Sequence, residues 1–130
     1  MKKLFVLFAL VIGMFALTSC SLLNQNKYEE EAGVYNCYYI SGDLSLSMYD
    51  YYRITLNADG TCLVESKAKG SSQTYSAEAT FSIENNKIKI VTRSGAASVT
   101  EEYDYIDGEI QMLNQSIQGI SFTAKFKRDQ

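Results

Sequence analysis

Apolar and polar residues alternate with a period of two along most of the chain after Gly33. This alternation is typical of strands that bury one face and expose the other. The apolar positions assigned to the inward face form eight groups: Tyr35, Cys37 and Tyr39; Tyr52, Ile54 and Leu56; Cys62 and Val64; Tyr75, Ala77, Ala79, Phe81 and Ile83; Ile88 and Ile90; Val99, Tyr103 and Tyr105; Ile110 and Met112; Ile120, Phe122, Ala124 and Phe126. The pattern predicts eight strands and an all-β domain.

Short turn-forming segments separate these groups. They are Asn57–Gly60, Lys69–Gln73, Glu84–Lys87, Ser94–Gly95 and Asp107–Gly108. Asn-Asn and Asp-Gly favour the positive φ angles of tight hairpins. Eight antiparallel strands joined in order can remove their open edges by closing into a barrel. We therefore predict an eight-stranded antiparallel up-and-down barrel, with a two-sheet β-sandwich as the alternative.

Three segments add a family resemblance to this pattern. Gly33-Val34-Tyr35 stands where lipocalins carry Gly-x-Trp on their first strand, with tyrosine in place of tryptophan. The hairpin Ile54–Val64 and the last strand, Phe122–Asp129 with Arg128 near its end, complete the match. The chain from Gly33 to Arg128 thus resembles the lipocalin-like (calycin-like) small barrels found among bacterial lipoproteins. The resemblance implies that the loop after the first strand lies over the open end of the barrel.

The first nineteen residues have the organisation of an export signal. Lys2 and Lys3 precede fourteen apolar or glycine residues, Leu4–Leu17, and the small residues Thr18 and Ser19 follow. A membrane-spanning helix needs about 20 apolar residues, so this run is too short for a permanent anchor. A basic start, a short apolar stretch and a small-residue end are the parts of a secretory signal peptide.

The four residues Leu17-Thr18-Ser19-Cys20 resemble the lipobox of bacterial lipoproteins. The resemblance implies cleavage before Cys20 and lipidation of that cysteine, and two or more acyl chains give stable membrane attachment. We predict a signal peptide over residues 1–19, a lipidated cysteine and flexible tether over 20–32, and a barrel domain over 33–130. The expected location is the cell envelope, anchored to a bacterial membrane and facing the periplasm or the exterior.

Composition narrows the chemistry of the mature chain. Without residues 1–19, ten basic and fifteen acidic side chains remain, a net charge of −5 with no basic run for nucleic acid. The sequence has no histidine, which removes Ser-His-Asp and Cys-His arrangements and histidine-bearing zinc sites. Asn57–Thr61 lacks the terminal carboxylates of a calcium loop. We expect no enzyme activity, no metal, no cofactor and no nucleic-acid partner.

Six aromatic residues on the inward face are the candidate ligand-binding set: Tyr35, Tyr39, Tyr52, Tyr103, Tyr105 and Phe122. Tyrosine combines an apolar ring with a polar tip, which suits a cavity for an amphipathic ligand and equally suits a filled core. An eight-stranded barrel is wide enough for either. The link Ser41–Tyr49 is the candidate lid, with Leu44, Leu46 and Met48 as its apolar residues.

Cys37 and Cys62 lie on the first and third predicted strands, both facing inward. One strand lies between them, which places their Cα atoms beyond the roughly 7 Å limit for a disulfide unless the barrel is strongly curved. Two buried thiols are therefore favoured over a disulfide.

Two functional hypotheses follow. The first is a membrane-anchored lipoprotein with a non-catalytic binding domain for a small apolar ligand or an envelope component. The second is a filled barrel whose loops bind or inhibit a protein. Ser94–Ser98 resembles the Ser-Gly-rich inhibitory loop of envelope lysozyme-inhibitor lipoproteins, although the aromatic residue and the Thr-Lys-Gly motif expected with that loop are missing.

Overall fold

The computed structural model describes residues 27–129, and in this part of the chain eight strands form one closed antiparallel barrel in sequence order. The strands are β1 (Gly33–Gly42), β2 (Tyr49–Leu56), β3 (Thr61–Ala68), β4 (Tyr75–Glu84), β5 (Lys87–Ser94), β6 (Ala97–Ile106), β7 (Glu109–Ile117) and β8 (Ile120–Arg128). The prediction of an eight-stranded antiparallel up-and-down barrel is confirmed. The sandwich alternative is excluded because β1 pairs with both β2 and β8.

Tight turns set the register of the hairpins. Asn85 and Asn86 have φ of 54° and 64°, and Asp107 and Gly108 have 56° and 77°, as the two-residue turns predicted at these places require. Gln118 and Gly119 form the same kind of pair, with φ of 51° and 85°, between β7 and β8. This last turn was not recognised in the sequence because glutamine is a weak turn former.

The core is built from the inward positions of all eight strands. Tyr35, Ile54, Ile88, Ile110 and Phe126 are each 0% exposed. Burying one such side chain contributes roughly 1.5–3 kcal/mol. The alternation seen in the sequence is therefore the alternation between the interior and the outer surface.

The barrel has two unlike ends. At the lower end, where β1 begins and β6 and β8 end, neighbouring strands are paired all the way round. Toward the upper end three pairs of strands separate: β1 pairs with β2 only over Gly33–Asn36, β4 pairs with β5 only over Thr80–Glu84, and β6 pairs with β7 only over Asp104–Ile106. Side chains and loops, rather than backbone pairing, close the upper end.

The predicted signal peptide, Cys20 and the first part of the predicted tether lie outside the described residues. Between residues 27 and 129, no helix has the length and apolar character needed to cross a bilayer.

Candidate functional site

The aromatic residues predicted to line a ligand cavity are mostly part of the packed core. Tyr35, Tyr52, Tyr103 and Phe122 are buried at 7% exposure or less, and Tyr105 is partly buried. Tyr52 packs edge-on against Phe126 with ring centroids 5.0 Å apart, and it lies 5.4 Å from the ring of Tyr49. The four buried rings belong to one hydrophobic core, which favours a filled interior over an open cavity.

Tyr39 is the exception, and the prediction that it faces inward is wrong. It is 44% exposed because β1 contains a bulge: Cys37 pairs with Phe126, but Tyr39 pairs with Lys125. One extra residue, Tyr38, lies between these pairs. For the rest of β1, side chains therefore point to the opposite face from the one that the alternation predicts. The ammonium group of Lys125 lies 5.2 Å from the Tyr39 ring centroid on the outer surface.

A hollow on the described residues lies away from the five predicted tyrosines. It has a volume of about 350 Å³ and is lined by polar residues at the ends of β1, β7 and β8, among them Ser41, Asn114 and Thr123. Phe122 is the one member of the predicted ligand-binding set that lines it. A smaller hollow of about 120 Å³ lies over the charged outer face of β4 and β5, beside Lys89.

The lower end is closed by residues that the sequence assigned to the tether. Tyr28 is 8% exposed and stacks on Phe81 with ring centroids 4.8 Å apart, and its backbone N–H donates to the Ala58 carbonyl at 2.9 Å. The packed domain therefore includes residues from Tyr28 onward rather than from Gly33. An acidic run, Glu29–Glu31, follows Tyr28 and is typical of a solvated spacer, which is why the sequence predicts a flexible tether here.

A hydrogen-bonded cluster holds this segment in place. The Tyr35 hydroxyl donates to the Glu31 carbonyl at 2.6 Å, so the Tyr105 hydroxyl donates to Tyr35 Oη at 2.7 Å. Arg128 Nη1 donates to the carbonyls of Glu30 and Ala32 at 2.7 and 3.2 Å, and its guanidinium lies 5.5 Å from the Tyr35 ring centroid. Burial, followed by the hydrogen bond with Tyr105, raises the pKa of Tyr35, which keeps the hydroxyl protonated as a donor.

The predicted lid covers the upper end, and only part of it is exposed. Leu44 is 3% exposed and belongs to the core, Met48 is partly buried against the core, and Leu46 is 39% exposed on a single 3₁₀ turn, Leu46–Met48. Asp43 fixes the loop to β8: its N–H donates to the Ser121 carbonyl at 2.8 Å and its carboxylate accepts from the Ser121 N–H at 2.9 Å. The segment is a fixed closure in which Leu46 is the exposed apolar contact.

The β5–β6 hairpin extends beyond the barrel as an arm, which we define as residues Thr92–Thr100. Pairing of β5 with β4 ends at Val91, and pairing of β6 with β7 ends at Asp104, so β5 and β6 pair only with each other in the arm. Every residue from Gly95 to Thr100 is exposed. Val99 was predicted to face inward, but it is 55% exposed because no barrel interior lies beneath the arm.

Glu101, at the base of the arm, is a carboxylate on the inward face of the barrel. It pairs with the buried Ile90 and is itself partly buried. Burial raises the pKa of Glu101, while a hydrogen bond with the Tyr103 hydroxyl partly opposes that shift. The charge of Glu101 also acts on Tyr52 and helps to raise the pKa of that residue. The alternation of apolar residues does not identify Glu101 as an inward position, because its side chain is charged.

Glu101→Gln is expected to stabilise the domain at pH 7. Because the folded state raises the pKa of this carboxyl, it holds the proton more tightly than the unfolded chain, so wild-type stability rises as pH falls through the raised pKa. Below the pKa of the unfolded chain, about 4.3, the gain in wild-type stability is complete, and the variant is no longer the more stable protein. Urea unfolding at pH 7 and pH 4 measures this. Glu102→Gln, on the exposed outer face, is the control and should change stability by no more than about 0.5 kcal/mol at either pH.

Cys37 and Cys62 are free thiols, as favoured from the strand assignment. Burial raises the pKa of the Cys37 thiol to about 11 and that of Cys62 to about 12. The thiolate is the reactive form, so both cysteines should react slowly with iodoacetamide at pH 8 in the native protein and rapidly in denaturant, with Cys37 the faster of the two. Peptide mass mapping at timed intervals measures this, and a Cys37–Cys62 disulfide peptide would contradict it.

Comparison of the chain with protein-family models, with curated proteins and with solved structures gives no match in any of the three.

Proposed function

We propose that this protein is a lipid-anchored envelope lipoprotein whose filled barrel binds another protein through the β5–β6 arm, without catalysing a reaction. The observation that carries the proposal is the combination of a packed interior with an exposed hairpin that no neighbouring strand covers. The packed interior is the reason for placing binding at the surface rather than in the core. The resemblance of Ser94–Ser98 to an inhibitory loop gives further support, because this segment forms the end of the arm.

The positions of the arm and the N-terminal segment support this function. The chain reaches the barrel at Tyr28, on the lower end, and the arm projects from the upper end. The seven residues from Cys20 to Asn26 span at most about 25 Å when fully extended. An anchor on Cys20 would therefore hold the lower end close to the membrane and direct the arm away from it, toward a partner.

The arm is long enough to enter a cleft on a partner. At about 3.3 Å per residue, the four residues Ala97–Thr100 extend about 13 Å. Small side chains at Gly95, Ala96 and Ala97 make the tip narrow, and Val99 supplies an exposed apolar contact. A narrow tip beside one apolar side chain is suited to a pocket on a folded protein.

A photo-crosslinking amino acid placed at Val99 tests the binding function in intact cells. We expect one discrete protein adduct from position 99 and none from position 82, because Ser82 is also exposed but lies on the outer face of β4. Equal labelling from both positions would contradict the proposal. A small apolar molecule retained by the purified protein in native mass spectrometry would instead favour the ligand-binding hypothesis.

The anchor is tested separately by metabolic labelling with a fatty acid analogue. The wild-type protein should take up label and sediment with membranes, and Cys20→Ala should do neither. Label that persists in Cys20→Ala would exclude Cys20 as the site of lipidation, while leaving the function of the arm unaffected.

A further inference from the structure

The seam between β6 and β7 leaves one edge of β6 open. Pairing between β6 and β7 ends at Gln111. Just beyond it, Leu113 and Asn114 form a bulge in β7, and Asn114 has a φ of 53°. Continued pairing would set Leu113 opposite Glu102. Instead, the side-chain amide of Gln115 donates to the Leu113 carbonyl at 2.8 Å. The Leu113 carbonyl is thus satisfied within β7, while Glu102 has no strand partner on this side among the described residues.

The register of β6 shows which backbone groups are open. The Tyr105 N–H donates to the Asn86 carbonyl at 2.9 Å, so the odd-numbered residues of β6 direct their backbone groups toward β5. Ser98, Thr100 and Glu102 therefore direct theirs toward the open seam. All three are exposed, and in the described part of the chain no strand pairs with them on that side. Their N–H and C=O groups repeat at the spacing of an extended chain.

Glu101 places a negative charge on the inward face of the same seam. Among the described residues Glu101 forms no ion pair, and it interacts with two phenols, those of Tyr103 and Tyr52. A partly buried carboxylate without a cation destabilises the protein that carries it. A strand added beside β6 would set one of its side chains directly opposite Glu101, with Cβ atoms about 5 Å apart.

We propose that an extended, basic segment of the partner adds as a strand to the open edge of β6, with a Lys or Arg side chain bound to Glu101. This inference rests on the proposed function and specifies how the partner is recognised. A basic segment is favoured because Glu101 and Glu102 lie at the open edge, in a domain with an excess of acidic residues. A second copy of this chain is disfavoured in the register centred on Glu101 and Glu102, because antiparallel pairing of two β6 edges would then bring the glutamates of both copies together.

The probe is a blocked peptide of alternating threonine and lysine, seven residues long, which presents lysines on one face of a strand. Binding should slow hydrogen–deuterium exchange at the amides of Ser98, Thr100 and Glu102. The same peptide with glutamate in place of lysine, and a version with alternate backbone nitrogens methylated, should each bind at least tenfold more weakly. The methylated peptide tests strand pairing without altering the protein.

Protein variants give the matching evidence. Thr100→Pro removes an N–H on the open edge and leaves the β5 ladder intact, so it should weaken binding at least tenfold, while Thr100→Val should not. Glu101→Gln should weaken binding of the lysine peptide at least tenfold and yet stabilise the free protein at pH 7. A residue with only a structural role would not combine these two effects. Glu102→Gln should have a small effect on affinity.

Three results would overturn the inference: no protection of β6 amides at millimolar lysine peptide, equal binding of the methylated peptide, or a dimer in sedimentation that Thr100→Pro makes monomeric. These results are separable from failure of the proposed function. An adduct from Val99 together with no peptide binding would keep the arm as the binding element and reject strand addition. Peptide binding without any adduct from Val99 would agree with strand addition to β6 and would contradict the arm as the element that binds a protein.

Discussion

Tyr35→Ala is expected to lower the free energy of unfolding by about 4 kcal/mol. The ring is 0% exposed, so its removal leaves a cavity at the lower end of the barrel. The change also removes the donor to the Glu31 carbonyl and the ring beneath the Arg128 guanidinium. A domain of this size has about 5–15 kcal/mol of stability, so the variant would lose a large part of the total.

Thermal and urea unfolding of residues 20–130 measure this loss. Tyr35→Phe keeps the ring and removes only the hydroxyl, so it should cost about 1 kcal/mol. Tyr39→Ala is the matched control, because this tyrosine lies on the same strand beyond the bulge and is 44% exposed. It should cost about 0.5 kcal/mol. Equal losses for Tyr35→Ala and Tyr39→Ala would contradict the bulge at Tyr38.

The alternation of residue types was sufficient to predict eight strands because a barrel with one buried face imposes a period of two on every strand. Turn chemistry then located most of the hairpins, since Asn85-Asn86 and Asp107-Gly108 readily adopt positive φ. The bulge at Tyr38 was not predictable in this way. Either face of the strand is compatible with Cys37, Tyr38, Tyr39 and Ile40. The local sequence therefore does not predict the extra residue of the bulge.

The candidate site was predicted less well, since its main features depend on contacts between distant residues. Tyr28 stacks on Phe81, a contact that no local pattern encodes. Glu101 occupies an inward position of the alternation that Val99 and Tyr103 define. A carboxylate is rarely placed in a barrel interior, so this position was not predicted. Its position beside the seam between β6 and β7 is seen only in the structure.

The two ends of the domain differ in a way that fits their proposed roles. The lower end is closed by a network joining Tyr35, Tyr105 and Arg128 to the backbone of Glu30 and Glu31. At the upper end three pairs of strands separate, and among the described residues the carboxylate of Glu101 has no cation beside it. Interactions left incomplete in the free protein are available to a partner, and stability is commonly lower where binding requires such groups.

Gly42→Ala is expected to destabilise the domain by about 3 kcal/mol or more, because it combines backbone strain with a steric clash. Gly42 has a φ of +101°, and a Cβ there would lie 2.5 Å from the Ser121 carbonyl oxygen and 2.9 Å from the Phe122 Cα. Both contacts are with the backbone of β8, which cannot move without breaking its pairing with β1.

Gly70→Ala separates the two contributions to this loss. Gly70 has a φ of +82°, but a Cβ there would meet no atom within 4 Å, so this variant carries the backbone strain alone and should cost about 1–2 kcal/mol. The difference between the two variants in urea unfolding is then the cost of the clash. Because Asp43 fixes the lid to Ser121 immediately beyond Gly42, Gly42→Ala should also increase amide exchange at Asp43 and Leu44, and Gly70→Ala should leave it unchanged. Equal destabilisation by both variants, with no change in exchange at the lid, would show that β8 yields to the new methyl group and that the upper end is not rigidly closed.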